Sequence, residues 1–337
     1  MQIREHVDLR HLHTFHVPAR ARWFAAVSDN DELQEAVAWA RARQQPFLLI
    51  GQGSNILFRQ DYPGLIIALR TRGIRVADET ADHADIDVMG GEIWHELVQW
   101  SLAQGYCGLE NLSLIPGTVG AAPVQNIGAY GAEVKDTLLS LEALEIASGR
   151  FRHFDNADCD FGYRNSVFKQ TLQGQYVICS VCFRLQRRPR LKLEYPALRQ
   201  ALAARDPATL TPQDVSEAVC AIRHSKLPDP GTLGNAGSFF WNPHLSHAQF
   251  AALQARWPAL PGHPDGSGVK VPAAWLIEQA GWKGYREGDA GVHKDHALVL
   301  VNHGNASGAE LVALAGRIQD SVQARFGIRL EPEVRIV

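Results

Sequence analysis

Residues 109–131 read LENLSLIPGTVGAAPVQNIGAYG. The stretch holds Gly117, Gly120, Gly128 and Gly131, follows directly on Gly108, and has Glu110 as its one charged residue. So little charge predicts burial, yet no regular helix fits. Pro116 and Pro123 each remove a backbone donor, and glycine is a poor helix former. Glycines at this density imply backbone bent tightly against something, with N–H groups turned toward it. Two readings stand at this point: an internal turn of a β domain, or a cradle for a ligand.

Working outward, a chain of 337 residues predicts two or three domains and a large core. Hydrophobic content of 46% and charged content of 20% are those of a soluble globular protein. A net charge of −3 and a pI near 6.5 give no footing for nucleic acid or an anionic membrane as partner. The basic run at 184–192, RLQRRPRLK, reads as a solvated loop. Five cysteines, an N-terminus (MQIREHVDLR) without an apolar signal core, and no bilayer-length apolar run predict free thiols in the cytoplasm. Cys179 and Cys182 lie inside the strand-like YVICSVCFRL and lack a second pair, so they read as core residues. The histidines form no HExxH, since His95-Glu96 lacks its second histidine, and no metal site is expected.

After a histidine-rich arm (His6, His11, His13, His16), Asp29, Asn30 and Asp31 offer caps for a helix to about Arg43. Leu33, Val37 and Ala40 form its apolar face. A strand at 47–50 runs into Gly51-Gln52-Gly53-Ser54-Asn55, and apolar runs follow at 57–58 and 65–69, giving a βαββ unit. Gly51-x-Gly53 fails as a dinucleotide fingerprint, because Ile56 replaces the third glycine and no helix pattern follows. Beyond residue 70, strands are predicted at 74–76, 85–89, 139–146, 151–154 and 175–185, with a turn at Ser148-Gly149. A helix at 92–104 shows Ile93, Leu97 and Trp100 on one face. A boundary is expected near Pro228, followed by helices at 246–256, 273–281 and 308–326, a strand at 297–302 and a closing strand in IRLEPEVRIV. The class is α+β.

Five segments carry a resemblance in register along nearly the whole chain: IPGTVGAAPVQNIGAYG, FGYRNSVFK, RHSKLPDP, GNAGSFFWNP and LEPEVR. Together they resemble the UDP-N-acetylenolpyruvoylglucosamine reductase family, in its first, long-loop type. The resemblance implies an α+β FAD-binding fold of the vanillyl-alcohol oxidase type in two subdomains, 1–69 and 70–227 plus 327–337. A substrate-binding domain would span 228–326. FAD and NADPH are the implied cofactors, and the implied product is UDP-N-acetylmuramate, a peptidoglycan precursor. A cytoplasmic monomer is expected.

The resemblance also assigns residues. Gly51, Gln52, Gly53, Ser54 and Asn55, with Gly117, Thr118, Asn126, Ile127 and Gly128, would wrap the FAD through backbone donors. Arg223 would reach the flavin or cap its own helix. Hydride delivered to an enolpyruvyl methylene pushes charge onto the adjoining carboxylate, which needs a clamp and then a proton on the neighbouring carbon. Arg164 matches the clamp, Ser238 the proton donor, and Glu333 a glutamate at the same carboxyl end that is expected to have a raised pKa. Tyr195, Lys226, Asn242 and Gln279 match substrate-holding positions. His263 is the nearest candidate for the covering tyrosine that this chain lacks in its long loop, and relatives are expected to run on past Val337. An oxidase of the same fold or a non-catalytic nucleotide-sugar sensor are the alternatives.

Overall fold

The computed structural model describes residues 1–337. The chain opens with β1 (Arg4–Asp8), β2 (Arg20–Val27), α1 (Asn30–Ala42), β3 (Phe47–Ile50), β4 (Ile56–Leu57) and β5 (Tyr62–Leu69). Next come β6 (Ile74–Glu79), β7 (His83–Met89), α2 (Trp94–Ala103), β8 (Gly128–Ala129) and β9 (Ala132–Glu133). β10 (Leu138–Glu145), β11 (Phe151–Asp155) and β12 (Tyr176–Gln186) precede α3 (Pro196–Leu202) and α4 (Pro212–Lys226). The remainder is β13 (Gly234–Ser238), β14 (His244–Ser246), α5 (His247–Arg256), β15 (His263–Asp265), β16 (Gly268–Lys270) and α6 (Ala273–Gln279). It closes with β17 (Arg286–Glu287), β18 (Ala290–Val292), β19 (Val299–Asn302), α7 (Gly308–Phe326) and β20 (Arg335–Ile336).

These elements form two compact units. The first comprises Met1–Val7, Ala21–Gln52 and Pro63–Ser225. It contains a four-stranded sheet, β1-β2-β5-β3, in which β3 and β5 run parallel. An antiparallel five-stranded sheet, β11-β10-β12-β7-β6, follows. α1 forms where predicted: Asp29 accepts from Glu32 N, and Leu33, Ala36, Val37 and Ala40 are buried on one face. The buried stripe of α2 is Trp94, Leu97, Val98 and Ser101, with Ile93 the cap, so the face predicted through Ile93 and Trp100 is rotated. Leu109, Leu112, Val119, Ala122 and Ile127 of the glycine-dense stretch enter the core of the five-stranded sheet beside Trp94 and Phe183. Cys179 sits at a register shift in β12 and packs in the core with Val177, while Cys182 pairs across to Asp87 on β7. Burial pushes both thiols up to about 12. The basic run is partly strand: Arg184 lies in β12 and grips Asp85 at 2.7 Å, while Arg187 pairs with Glu79.

The second unit comprises Asp8–Arg20, Gly53–Tyr62 and Lys226–Val337. Its antiparallel sheet runs β13-β19-β18-β17 and carries α7, which opens on a capping box at Ser307 and Glu310. The segment between α5 and α6 contains a hairpin, β15–β16, joined to β14. The division into two units differs from the three parts expected. The arm is sewn to this unit through Asn235 N to Thr14 O (3.0 Å) and Asn302 Nδ2 to Phe15 O (2.9 Å). The C-terminal strand does not return to the second flavin subdomain. β20 runs parallel to β4, with Arg335 N on Asn55 O (3.1 Å) and Val337 N on Leu57 O (2.9 Å).

Trp94 is the largest wholly buried side chain, and its Nε1 donates to Leu112 O at 2.9 Å. Trp94→Ala should cost about 3–5 kcal/mol in urea denaturation. Trp94→Phe, which loses mainly the hydrogen bond and some volume, should cost less. Equal losses from the two would assign the cost to the hydrogen bond and not to the packing.

Candidate functional site

In the first unit the two glycine stretches meet. The chain leaves β3 at Gly51, whose carbonyl accepts from Arg70 Nη1 at 2.9 Å. Gln52 Oε1 then accepts from Gly117 N at 2.7 Å. A Cβ at Gly51 would lie 2.4 Å from Thr118 Oγ1, so no side chain fits there. Gly120 sits as tightly over β12, where a Cβ would come 2.8 Å from Ile178 O. The backbone N–H groups of Gln52 and Thr118 have no acceptor within the protein. Unpaired donors on close-packed backbone suit the pyrophosphate of FAD, and these residues fit that group.

Asn126 plays a different part. It is fully buried at φ 44°; its amide donates to Gly162 O (2.9 Å) and Glu133 Oε2 (3.1 Å) and accepts from Lys135 N (3.2 Å). Its side chain therefore holds the loop, and Ile127 beside it is core. Arg164, also left-handed at φ 52°, donates to Gly128 O. Arg223 Nε donates to Leu114 O at 3.1 Å, so it props the loop and is no helix cap. Burial, aided by the charge of Arg164, lowers the pKa of Arg223, while Tyr130 opposes the shift with a hydrogen bond. Tyr130 meets Tyr195 edge-on at 5.2 Å. Two arginines are thus close together with aromatic neighbours, an arrangement that favours an anionic ligand.

In the second unit, Gly53 turns at φ 62° over His13, where a Cβ would come within 2.6 Å. His13 is pushed down to about 4 by burial and stays neutral. Ser238 ends β13 opposite Val299, after a bulge at which Gly237 takes φ 69° and donates its N–H to Asn235 Oδ1. Its hydroxyl makes no hydrogen bond within the protein. The next residue, Phe239, accepts from Glu333 N at 2.8 Å, which brings Ser238 and Glu333 onto neighbouring backbones. Asn55 Nδ2 reaches Glu333 O at 3.3 Å, so this expected flavin residue positions the glutamate with its side chain. Ser54 completes that turn.

Asn242 Oδ1 caps α6 through Ala273 N at 2.9 Å, leaving its amide donors. Gln279 is exposed at the end of α6. His263 is exposed on β15 opposite Lys270, in a different sheet from Ser238. Lys226 is more telling. Burial first, then His293, with smaller contributions from Lys226 and Lys283, lowers the pKa of His296, so both lysines are near enough to act on it. Nearby, a cavity of about 220 Å³ is lined by Arg286, His293, Lys294 and His303 against Leu233 and Val292. Sequence reasoning missed Lys283, His296 and the structural duties of Arg70 and Gln52. Isolated charges and amides within turns carry no periodic signal.

Comparison with known proteins agrees with this geometry. Residues 21–155 match the FAD binding domain, and residues 229–337 match the C-terminal domain of UDP-N-acetylenolpyruvoylglucosamine reductase. The reductase of Chromobacterium violaceum is 51% identical over 339 residues, covering 100% of this chain and 99% of that protein. The reductase of Pseudomonas aeruginosa is 49% identical over 334 residues, covering 99% and 98%. These relatives therefore do not run far beyond the matched region, contrary to expectation. The crystal structure of the Thermus caldophilus reductase superposes with a TM-score of 0.70 at 25% identity, covering 99% of both chains. The chain is thus an FAD-dependent oxidoreductase and belongs to the UDP-N-acetylenolpyruvoylglucosamine reductase family.

Proposed function

We propose that this enzyme uses NADPH to reduce the enolpyruvyl ether of UDP-N-acetylglucosamine to UDP-N-acetylmuramate. The observation that carries the reading is the backbone pairing that sets Glu333 beside Ser238, whose hydroxyl has no partner within the protein. FAD, when bound, supplies the hydride for the methylene carbon. The protein's own residues must then manage charge and proton. Arg164 is a permanent, planar donor suited to the substrate carboxylate as negative charge grows there. Glu333 helps at such a dianion only if it carries or shares a proton, and that state is assigned to it here. Ser238 donates to the adjacent carbon; a hydroxyl is a weak acid, but the carbanion is a far stronger base.

The diphosphate of the substrate is assigned to Lys226, with Lys283 and His296 around it, and Tyr195, Asn242 and Gln279 supply directed hydrogen bonds. His263 is assigned as a cover over the bound substrate. The enzyme is proposed to act as a cytoplasmic monomer. No helix is long and apolar enough to cross a membrane.

Ser238→Ala should divide the catalytic cycle. In anaerobic stopped-flow, NADPH should bleach the flavin at nearly the parent rate, while reoxidation by the enolpyruvyl substrate slows by about 10²–10⁴. Reoxidation within about tenfold of the parent would remove Ser238 as the acid. Arg164 and Glu333, if they serve one carboxyl group, should show coupling of about 0.5–3 kcal/mol in a double-mutant cycle on kcat/KM. Additive losses would mean that they act on separate groups. Lys226→Met and His263→Ala should each raise KM for the UDP substrate and leave flavin reduction unchanged. An unaltered KM in either variant strikes that residue from the substrate site.

A further inference from the structure

Leu114 stands three residues before Gly117 and holds a left-handed backbone, φ 58°. That conformation is disfavoured for a residue with a bulky side chain, because its Cβ crowds the following carbonyl. Two side chains from elsewhere in the first unit hold it. Its N–H donates to His95 Nδ1 at 2.9 Å, and its carbonyl accepts from Arg223 Nε at 3.1 Å. His95 lies on the first turn of α2, half-buried, in the His-Glu pair that forms no metal motif. A ring nitrogen that accepts a hydrogen bond carries no proton, so His95 is the neutral tautomer with its hydrogen on Nε2.

We propose that His95 is a positioning residue for the flavin: it locks the Leu114 corner, and FAD affinity falls when His95 takes up a proton. The groups facing it are Arg223 and His224 from α4 and Glu96 from its own helix. Burial first, then Arg223, lowers its pKa from the ordinary value of 6.5, with Glu96 opposing. The sign follows directly. At neutral pH the ring is unprotonated and the lock is closed. On acidification below that ordinary value, Nδ1 gains a proton and turns from acceptor to donor. It then faces the Leu114 N–H without an acceptor, and a second positive charge stands beside Arg223. The corner at Leu114 relaxes, and the cradle at Gly117 and Thr118 relaxes with it.

The test uses diluted holoprotein from pH 5 to 8, with recovery of free-flavin fluorescence giving the FAD Kd. In the parent, Kd should rise by roughly tenfold toward pH 5, the scale of one lost hydrogen bond plus released strain. His95→Asn, whose Oδ1 accepts at every pH, should match the parent at pH 7.5 and stay flat. His95→Leu should be weaker by about tenfold at pH 7.5, and also flat. In a Leu114→Gly background, where the left-handed backbone needs no support, His95→Leu should change Kd by less than about twofold. Parent-like binding by His95→Leu, or an acid rise in His95→Asn that follows the parent curve, would overturn the proposal. The Asn and Gly-background variants decide the question even if His95→Leu folds poorly.

Discussion

The close approach of Gly51 to Thr118 is the constraint on which the first unit's functional part depends. A gap that a single methyl group would fill brings together segments far apart in the chain, and Gln52 then ties them with one amide. The contact is steric, so it tolerates no gradual substitution. Around it the supports come from different elements: Arg70 beneath Gly51, β12 beneath Gly120, and Asn126 at the far end. Of these supports only Arg70 is charged, and its guanidinium bonds the Gly51 carbonyl. The cradle offers N–H dipoles, and further fixed positive charge stands at Arg164 and Arg223.

Much of this was legible in the sequence, and for physical reasons. α1, β3, β12 and α7 were read because apolar spacing and caps report directly on burial. The glycine stretches were read because only unusual backbone needs so many glycines. α3 and α4 escaped notice, since their short apolar faces (Leu198, Leu202, Val215 and Val219) lie among polar residues. The buried face of α2 is centred differently because Trp94 and Ser101 are wholly buried, whereas Trp100 packs against the core only in part. The hairpin β15–β16 hid among Pro and Gly, whose turn signals masked two short strands.

The candidate site divides in the same way. Ser238, Glu333, Arg164 and Lys226 came from segment resemblance, and the structure adds what holds or surrounds them: the Gly237 bulge, Asn55 on Glu333 O, and Lys283 beside His296. Side chains that act on backbone, such as Gln52, Asn55 and Asn126, leave no trace in composition. Gln52, Asn55 and Asn126 each reach a partner tens or hundreds of residues away, Gly117, Glu333 and Gly162, and only the fold reveals them. Resemblance can place a residue at the chemistry without showing whether it touches the ligand or the residue that does.

The parallel pairing of β20 with β4 has a consequence for synthesis. A ribosome delivers Ile56 and Leu57 long before Arg335 and Ile336. Until they arrive, β4 is a short strand with no partner in its own sheet. A pairing between segments so distant in sequence also closes slowly. The second unit can form the β4–β20 pair only once Arg335 and Ile336 have been made, however early the first unit folds. Chains cut short of β20, whatever flavin they retain, lack the pairing that stands next to Asn55 and Glu333.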